Sequence, residues 1–133
     1  MLEILYQDEY LVAINKPHGL LVHRSPIATN TDTFAVQELR DQLGRHVYPA
    51  HRLDRKTSGV LLFALDKSVL PALQHQFAEH SPEKTYWAIL RGYAEDSGTI
   101  DYALTNDKGK TQEAITHYKI LQRTEVAVPF GKH

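Results

Sequence analysis

The chain has 133 residues, a formal net charge of −1 at pH 7, 42% hydrophobic residues and 23% charged residues. This composition is typical of a globular domain with a buried core, and no apolar run approaches the roughly 20 residues that a membrane-spanning helix needs. The absence of cysteine excludes disulfides and thiolate metal sites, and it fits a reducing cytoplasm.

The chain begins with two predicted strands, residues 2–7 and 10–15, and the Asp8-Glu9 pair between them favours a hairpin. The Lys16-Pro17-His18-Gly19 segment should end the second strand, because proline lacks a backbone donor and glycine permits positive φ. Residues 24–32 have the polar composition of a loop.

A helix is predicted from about residue 33 to residue 43. Asp32 or Thr33 could cap its N-terminus, and Gly44 stands where a C-cap is expected. One apolar face recurs at helical spacing, formed by Val36, Leu39 and Leu43. The charged residues 45–58 that follow show no period, so a loop is expected there.

The second half of the chain continues with strands and one more helix. Residues 59–65 are apolar throughout, which predicts a strand buried on both faces. Asp66 or Ser68 could cap the next helix, whose apolar face contains Leu70, Leu73 and Phe77. Three further strands are predicted at residues 84–90, 99–104 and 115–121, with an exposed, mobile loop at 106–110.

These elements predict an α+β fold, with a largely antiparallel or mixed sheet and two inserted helices. We expect residues 1–133 to form a single domain. The last residues, 126–133, begin like a strand and then stop, so we expect a longer protein to continue beyond them.

The densest group of candidate functional residues is His51-Arg52-Leu53-Asp54-Arg55-Lys56-Thr57-Ser58-Gly59. Asp54 lies among cations, which favour an ionised carboxylate that could act as nucleophile, general base or electrostatic stabiliser. A structural Arg–Asp pair is an equally good interpretation of the spacing alone. Residues 40–56 carry a surplus of three positive charges, which could equally be a solvated face.

Three segments together resemble the RluA-type RNA pseudouridine synthases. His51-Arg52-Leu53-Asp54, followed by Thr57-Ser58-Gly59-Val60-Leu61-Leu62, is similar to the central motif of that family. Asn15-Lys16-Pro17-His18-Gly19 resembles its N-terminal Lys-Pro-x-Gly segment, and Lys84-Thr85-Tyr86 resembles its Lys-x-Tyr strand. The fold implied is the N-terminal part of a pseudouridine synthase catalytic domain.

The resemblance implies that Asp54 is the nucleophile that isomerises a uridine of RNA to pseudouridine, attacking either the ribose C1′ or the uracil C6. It assigns Arg52 to the space left by the flipped nucleotide and Tyr86 to packing against the uracil. No cofactor or metal is implied. The segment 1–10 most resembles tRNA-modifying members, so the expected partner is tRNA rather than ribosomal RNA, with no membrane.

Other interpretations of single residues stay open in the sequence. Tyr86 could be an ordinary core aromatic, and Arg55 and Lys56 could contact phosphate or only solvent. Lys16 is expected to shape a turn, and His51 to support the loop through a hydrogen bond rather than to move protons. The spacing of the eight histidines does not match a zinc site.

Other functions also remain open. The family's C-terminal Arg-x-x-His-Gln segment, which supplies a basic partner for the aspartate, has no counterpart here, so activity of residues 1–133 alone is doubtful. A non-catalytic RNA-binding module of the same fold is the main alternative. A kinase is disfavoured because Gly59 stands where the catalytic loop needs asparagine, and a glycosidase because no second carboxylate is singled out. A structural domain would show the same apolar core.

Overall fold

A computed structural model describes residues 1–24, 33–106 and 108–126. Contacts between Cα atoms divide the chain into two compact units, Met1–Thr85 and Tyr86–His133, and each is described by itself. The prediction that residues 1–133 form one domain stays a prediction. Within the described residues, no helix is both long enough and apolar enough to cross a membrane.

The first unit is built on an antiparallel sheet whose strands lie in the order β1-β2-β4-β3. The strands are β1 (Glu3–Gln7), β2 (Leu11–Lys16), β3 (Tyr48–Pro49) and β4 (Gly59–Ala64). The predicted hairpin is confirmed, and Asp8 closes its turn by accepting hydrogen bonds from the N–H groups of Tyr10 and Leu11 at 2.8 and 2.9 Å. The short β3 was not expected, since residues 45–58 were predicted to be loop throughout.

The central strand β4 pairs with β2 along its whole length, from Leu11 opposite Ala64 to Lys16 opposite Gly59. Its side chains alternate: Phe63 is fully buried, whereas Val60 is 62% exposed. The prediction that this strand is buried on both faces is therefore wrong. Because successive strand residues point to opposite faces, Leu61 and Phe63 lie in the core, whereas on the other face Val60 is exposed, Leu62 is half-buried and Ala64 is buried. The core consists of Leu2, Val12, Ile14, Leu20, Val22, Ala35, Leu39, Val47, Leu53, Leu61, Phe63 and Leu65.

Helix α1 spans Ala35–Leu43 and presents the predicted apolar face to this core. Gly44 is confirmed as its C-cap, with φ of 68° and its N–H donating to the carbonyl of Arg40. The N-terminal cap was wrong for Thr33, because the helix starts after Phe34 without a side-chain cap, and Asp32 lies outside the described residues. Backbone carbonyls of residues 21 and 22 accept from the first helical N–H groups instead, at 2.8 and 3.0 Å.

The second helix follows β4 as predicted. A 3-10 turn at Lys67–Val69 leads into α2, Leu70–Ala78, and Pro71 lies in its first turn. Asp66 caps the turn by accepting from the N–H of Ser68 at 2.9 Å, which confirms one of the two proposed caps. The apolar face of α2 is half-buried at Leu70, Leu73 and Phe77.

In the second unit, β5 (Ser97–Asp101) pairs antiparallel with β8 (Ile115–Lys119), and β6 (Leu104–Thr105) pairs with β7 (Thr111–Gln112). These pairs confirm the strands predicted near residues 99–104 and 115–121. The strand predicted at residues 84–90 is wrong, because none of the described residues forms a ladder with it. The predictions for residues 25–32 and 127–133 fall outside the described residues. The α+β class with antiparallel sheets is confirmed.

Candidate active site

The loop between β3 and β4 carries two of the predicted site residues. Leu53 is buried in the core, whereas Arg52 and Asp54 on either side of it are exposed. The carbonyl of Asp54 accepts a hydrogen bond from the N–H of Thr57 at 3.0 Å, which closes a turn directly before β4. The buried Leu53 therefore fixes the backbone of the loop, while the guanidinium of Arg52 and the carboxylate of Asp54 face solvent.

Beneath this loop lies Lys16, the last residue of β2, whose side chain is fully buried. Its Nζ donates to the backbone carbonyls of Leu20 at 2.6 Å, Pro17 at 3.0 Å and Arg55 at 3.1 Å. An ammonium group has three donors, so each of them has an acceptor here. The arrangement ties the turn after β2 to the loop that carries Asp54.

The negative charge of the candidate nucleophile, Asp54, acts on Lys16. Burial lowers the pKa of Lys16, while the negative charge of Asp54 raises it. A buried ammonium is stable only when hydrogen bonds and opposite charge replace its lost hydration. Lys16 therefore supplies a positive charge on the inner side of the Asp54 loop, in addition to the exposed arginines.

Gly19 and Arg55 connect the same two loops a second time. The N–H of Gly19 donates to the carbonyl of Arg55 at 2.7 Å, and Nε of Arg55 donates to the carbonyl of Gly19 at 3.1 Å. Gly19 has φ of 91°, a conformation that other residues rarely adopt. The structure thus gives Arg55 a role that the sequence did not suggest, while the Lys56 side chain is exposed.

His51 supports the loop from its other end. Its Nε2 accepts a hydrogen bond from the backbone N–H of Leu62 in β4 at 3.1 Å. The ring stacks on Phe77 of α2, with ring centroids 4.4 Å apart. The predicted supporting role, through a hydrogen bond, matches this geometry.

Tyr86, the third predicted site residue, belongs to the second unit and is 58% exposed. It lies in a segment without a strand, so the Lys-x-Tyr strand expected from the motif is not formed. The neighbouring Trp87 is 84% exposed and Ile89 is fully exposed. The structure thus places Arg52 and Asp54 in one loop of the first unit, whereas Tyr86 belongs to the second unit.

A sequence profile of the family described as RNA pseudouridylate synthase matches residues 10–128. The chain belongs to this family. The resemblance drawn from the three motifs is thereby confirmed, and the Asp54 loop lies within the matched region.

Relatives of known name agree with this family membership. The chain is 51% identical to tRNA pseudouridine synthase C of Vibrio parahaemolyticus, covering 98% of this chain and 58% of that protein. It is 46% identical to tRNA pseudouridine synthase C of Haemophilus influenzae, covering all of this chain and 60% of the relative. The chain spans about half the length of the curated relatives it matches.

Solved structures show the same fold. Human RNA Pseudouridylate Synthase Domain Containing 4 superimposes with a TM-score of 0.70 at 31% identity, over 92% of this chain and 54% of that one. Human RNA Pseudouridylate Synthase Domain Containing 1 gives a TM-score of 0.69 at 23% identity, a likeness of fold.

Lys16 is the site residue whose role the sequence underestimated. It was expected to shape a turn, yet its ammonium group connects the turn to the Asp54 loop. A charged residue at the end of a strand pattern ordinarily indicates the surface. The only available signal was its place in the Lys-Pro-x-Gly segment, which indicates a turn but not which loop the side chain reaches.

Proposed function

We propose that this chain carries the catalytic aspartate of an RNA pseudouridine synthase, and that Asp54 is its nucleophile. The observation that carries the proposal is the Asp54 loop: an exposed carboxylate beside an exposed arginine, on a backbone held by Lys16 and anchored by Leu53. Family membership supports the reaction type. We further propose that residues 1–133 belong to a single catalytic domain.

The proposed reaction is an isomerisation that requires neither cofactor nor metal. The N1–C1′ bond of uridine breaks, the uracil turns, and a C5–C1′ bond forms. The hydrogen of C5 leaves to solvent and N1 takes up a proton, so nothing is oxidised or reduced. Asp54 assists by attacking C1′ or by adding to C6 of the ring, and either route divides one difficult step into two easier ones.

Arg52 and Tyr86 are proposed to bind the substrate. A uridine stacked in RNA cannot reach a carboxylate, so it must be flipped out at a cost of a few kcal/mol. The planar, permanently charged guanidinium of Arg52 suits stacking and phosphate contact in the vacated space. Tyr86 offers an exposed aromatic face for the flipped uracil.

We propose tRNA as the substrate, because both of the named bacterial relatives above are tRNA pseudouridine synthases. The expected location is the cytoplasm, where tRNA is modified. The charge surplus around the Asp54 loop supports contact with an RNA backbone despite a net charge near zero.

Tritium release tests the proposal. The full gene product that carries this sequence is incubated with tRNA transcripts labelled at C5 of uridine, and tritium in water is counted. We expect release that Asp54→Asn abolishes and that the matched control Asp41→Asn, an exposed carboxylate on α1, leaves unchanged. Absence of release on every tRNA would refute the synthase proposal, and retained RNA binding would then identify a non-catalytic RNA-binding module.

A further inference from the structure

The β3–β4 ladder ends in an unusual way just before the Asp54 loop. Tyr48 lies opposite Ala64 and Pro49 opposite Phe63, so Ala50 comes next, opposite Leu62. The N–H of Ala50 donates to the carbonyl of Leu62 at 2.9 Å, as the ladder requires. In a regular antiparallel pair, the N–H of Leu62 would donate back to the carbonyl of Ala50.

The side chain of His51 replaces that carbonyl. The N–H of Leu62 donates to Nε2 of His51 at 3.1 Å. An unpaired N–H on the central strand would be costly, so the imidazole lets the backbone leave the sheet one residue early without leaving a donor unsatisfied. The chain turns away at this point, and Arg52 and Asp54 follow within three residues.

The ring is fixed by its surroundings. It is half-buried and stacks on Phe77 with an interplanar angle of 25°. An accepting Nε2 requires the neutral imidazole with its proton on Nδ1. Burial lowers the pKa of His51, a hydrogen bond with the backbone of Arg52 raises it, and the nearby positive charge of Lys84 lowers it. Leu62 and Phe77, which contact the ring, carry no charge.

We propose that His51 is a positioning residue for Asp54: its imidazole accepts the N–H of Leu62 in place of a backbone carbonyl and so sets the direction in which the Asp54 loop leaves the sheet. This inference rests on the proposed function. Protonation of the ring would place an N–H against the N–H of Leu62 and break the contact that sets where the loop leaves the sheet. The activity should therefore fall as the pH drops below the usual histidine range.

Two substitutions separate the hydrogen bond from the packing. His51→Phe keeps an aromatic ring for Phe77 but has no acceptor, whereas His51→Gln places a carbonyl oxygen near the position of Nε2. His75→Gln is the matched control, because His75 lies exposed on α2 and contacts Glu79 at 3.3 Å.

The first readout is hydrogen exchange of the Leu62 amide by NMR, which needs no substrate. We expect the amide to exchange about tenfold faster in His51→Phe, the effect of losing one hydrogen bond, and to stay protected in His51→Gln. Nitrogen chemical shifts of the wild-type ring should show an unprotonated Nε2. Unchanged exchange in His51→Phe, or a protonated Nε2, would overturn the proposed contact.

The second readout is tritium release from labelled tRNA. His51→Phe should lower kcat at least tenfold with little change in KM, and His51→Gln should restore most of it while losing the acid limb of the pH profile. Normal kcat in His51→Phe would overturn the positioning role. If wild-type protein released no tritium, the proposed function would fail, while the exchange measurement would still decide whether His51 holds the loop.

Discussion

Replacement of Lys16 by methionine removes the buried ammonium group and keeps most of the side-chain volume. Three backbone carbonyls then lose the hydrogen bond from Nζ, those of Pro17, Leu20 and Arg55, although the carbonyl of Arg55 still accepts from the N–H of Gly19. The hydrogen bond to Leu20 is buried, and leaving that carbonyl unsatisfied costs about 1–3 kcal/mol. The other two bonds are partly buried, so water can replace part of each at a cost of about 0.5–1 kcal/mol.

One effect opposes this loss. Folding of the wild-type protein removes water from the charged ammonium group of Lys16, and methionine avoids that cost. The expected net decrease in the free energy of unfolding is about 2–4 kcal/mol. Urea denaturation followed by circular dichroism measures it, with the midpoint moving at constant slope. The matched control is Lys67→Met, an exposed lysine in the 3-10 turn, which should change stability by less than about 0.5 kcal/mol.

Trypsin gives a local readout of the same substitution. The exposed bonds after Arg52, Arg55 and Lys56 should become more sensitive in Lys16→Met, because the loop loses one of its two connections to the turn after β2 and keeps only the hydrogen bonds between Gly19 and Arg55. The substitution removes no cleavage site, since Pro17 follows Lys16 and blocks trypsin there. A stability change no larger than that of Lys67→Met, together with unchanged cleavage, would refute the proposed tie between the two loops.

Three further outcomes are expected. Gly19→Ala should destabilise the protein by about 1–2 kcal/mol in urea, purely through backbone strain at φ of 91°, because an added Cβ meets no atom within 4 Å; equal stability would contradict this. Hydrogen bonds from Ser68 lower the pKa of Asp66, so its contribution is present above the usual carboxyl pKa and is lost as the pH falls; Asp66→Asn should flatten that acid limb in thermal melts. Arg52→Ala should weaken tRNA binding about tenfold in filter-binding assays. It should also reduce the slope of log K against log salt concentration by about one, and an unchanged slope would argue against phosphate contact.

Local sequence signals were sufficient where the structure depends on neighbours along the chain. The hairpin followed from Asp8 between two apolar runs, the end of α1 from Gly44, and the start of the second helix from Asp66. Each of these residues satisfies backbone groups within four positions of itself, so a short window of sequence contains the whole interaction.

The misjudged features depend on distant partners. The first turn of α1 donates to residues 21 and 22 rather than to a cap, and no local pattern reveals that. Lys16 reaches the carbonyl of Arg55, 39 residues away, and the segment around it indicated only a turn. The aromatic and branched residues 84–90 have strand propensity, yet a strand also requires a ladder partner, and propensity does not supply one.

The connection between Lys16 and Arg55 has a consequence for the order of folding. A contact across 39 residues carries a loop-closure entropy that grows as about (3/2)RT ln n, and the pairing of Lys16 with Gly59 at the end of the β2–β4 ladder closes nearly the same loop. We therefore expect the Asp54 loop to become ordered together with the pairing of the central strands. During synthesis β1 and β2 leave the ribosome before Arg55 does, so we expect Lys16 to have no Arg55 carbonyl to bind until the later part of the chain has been made.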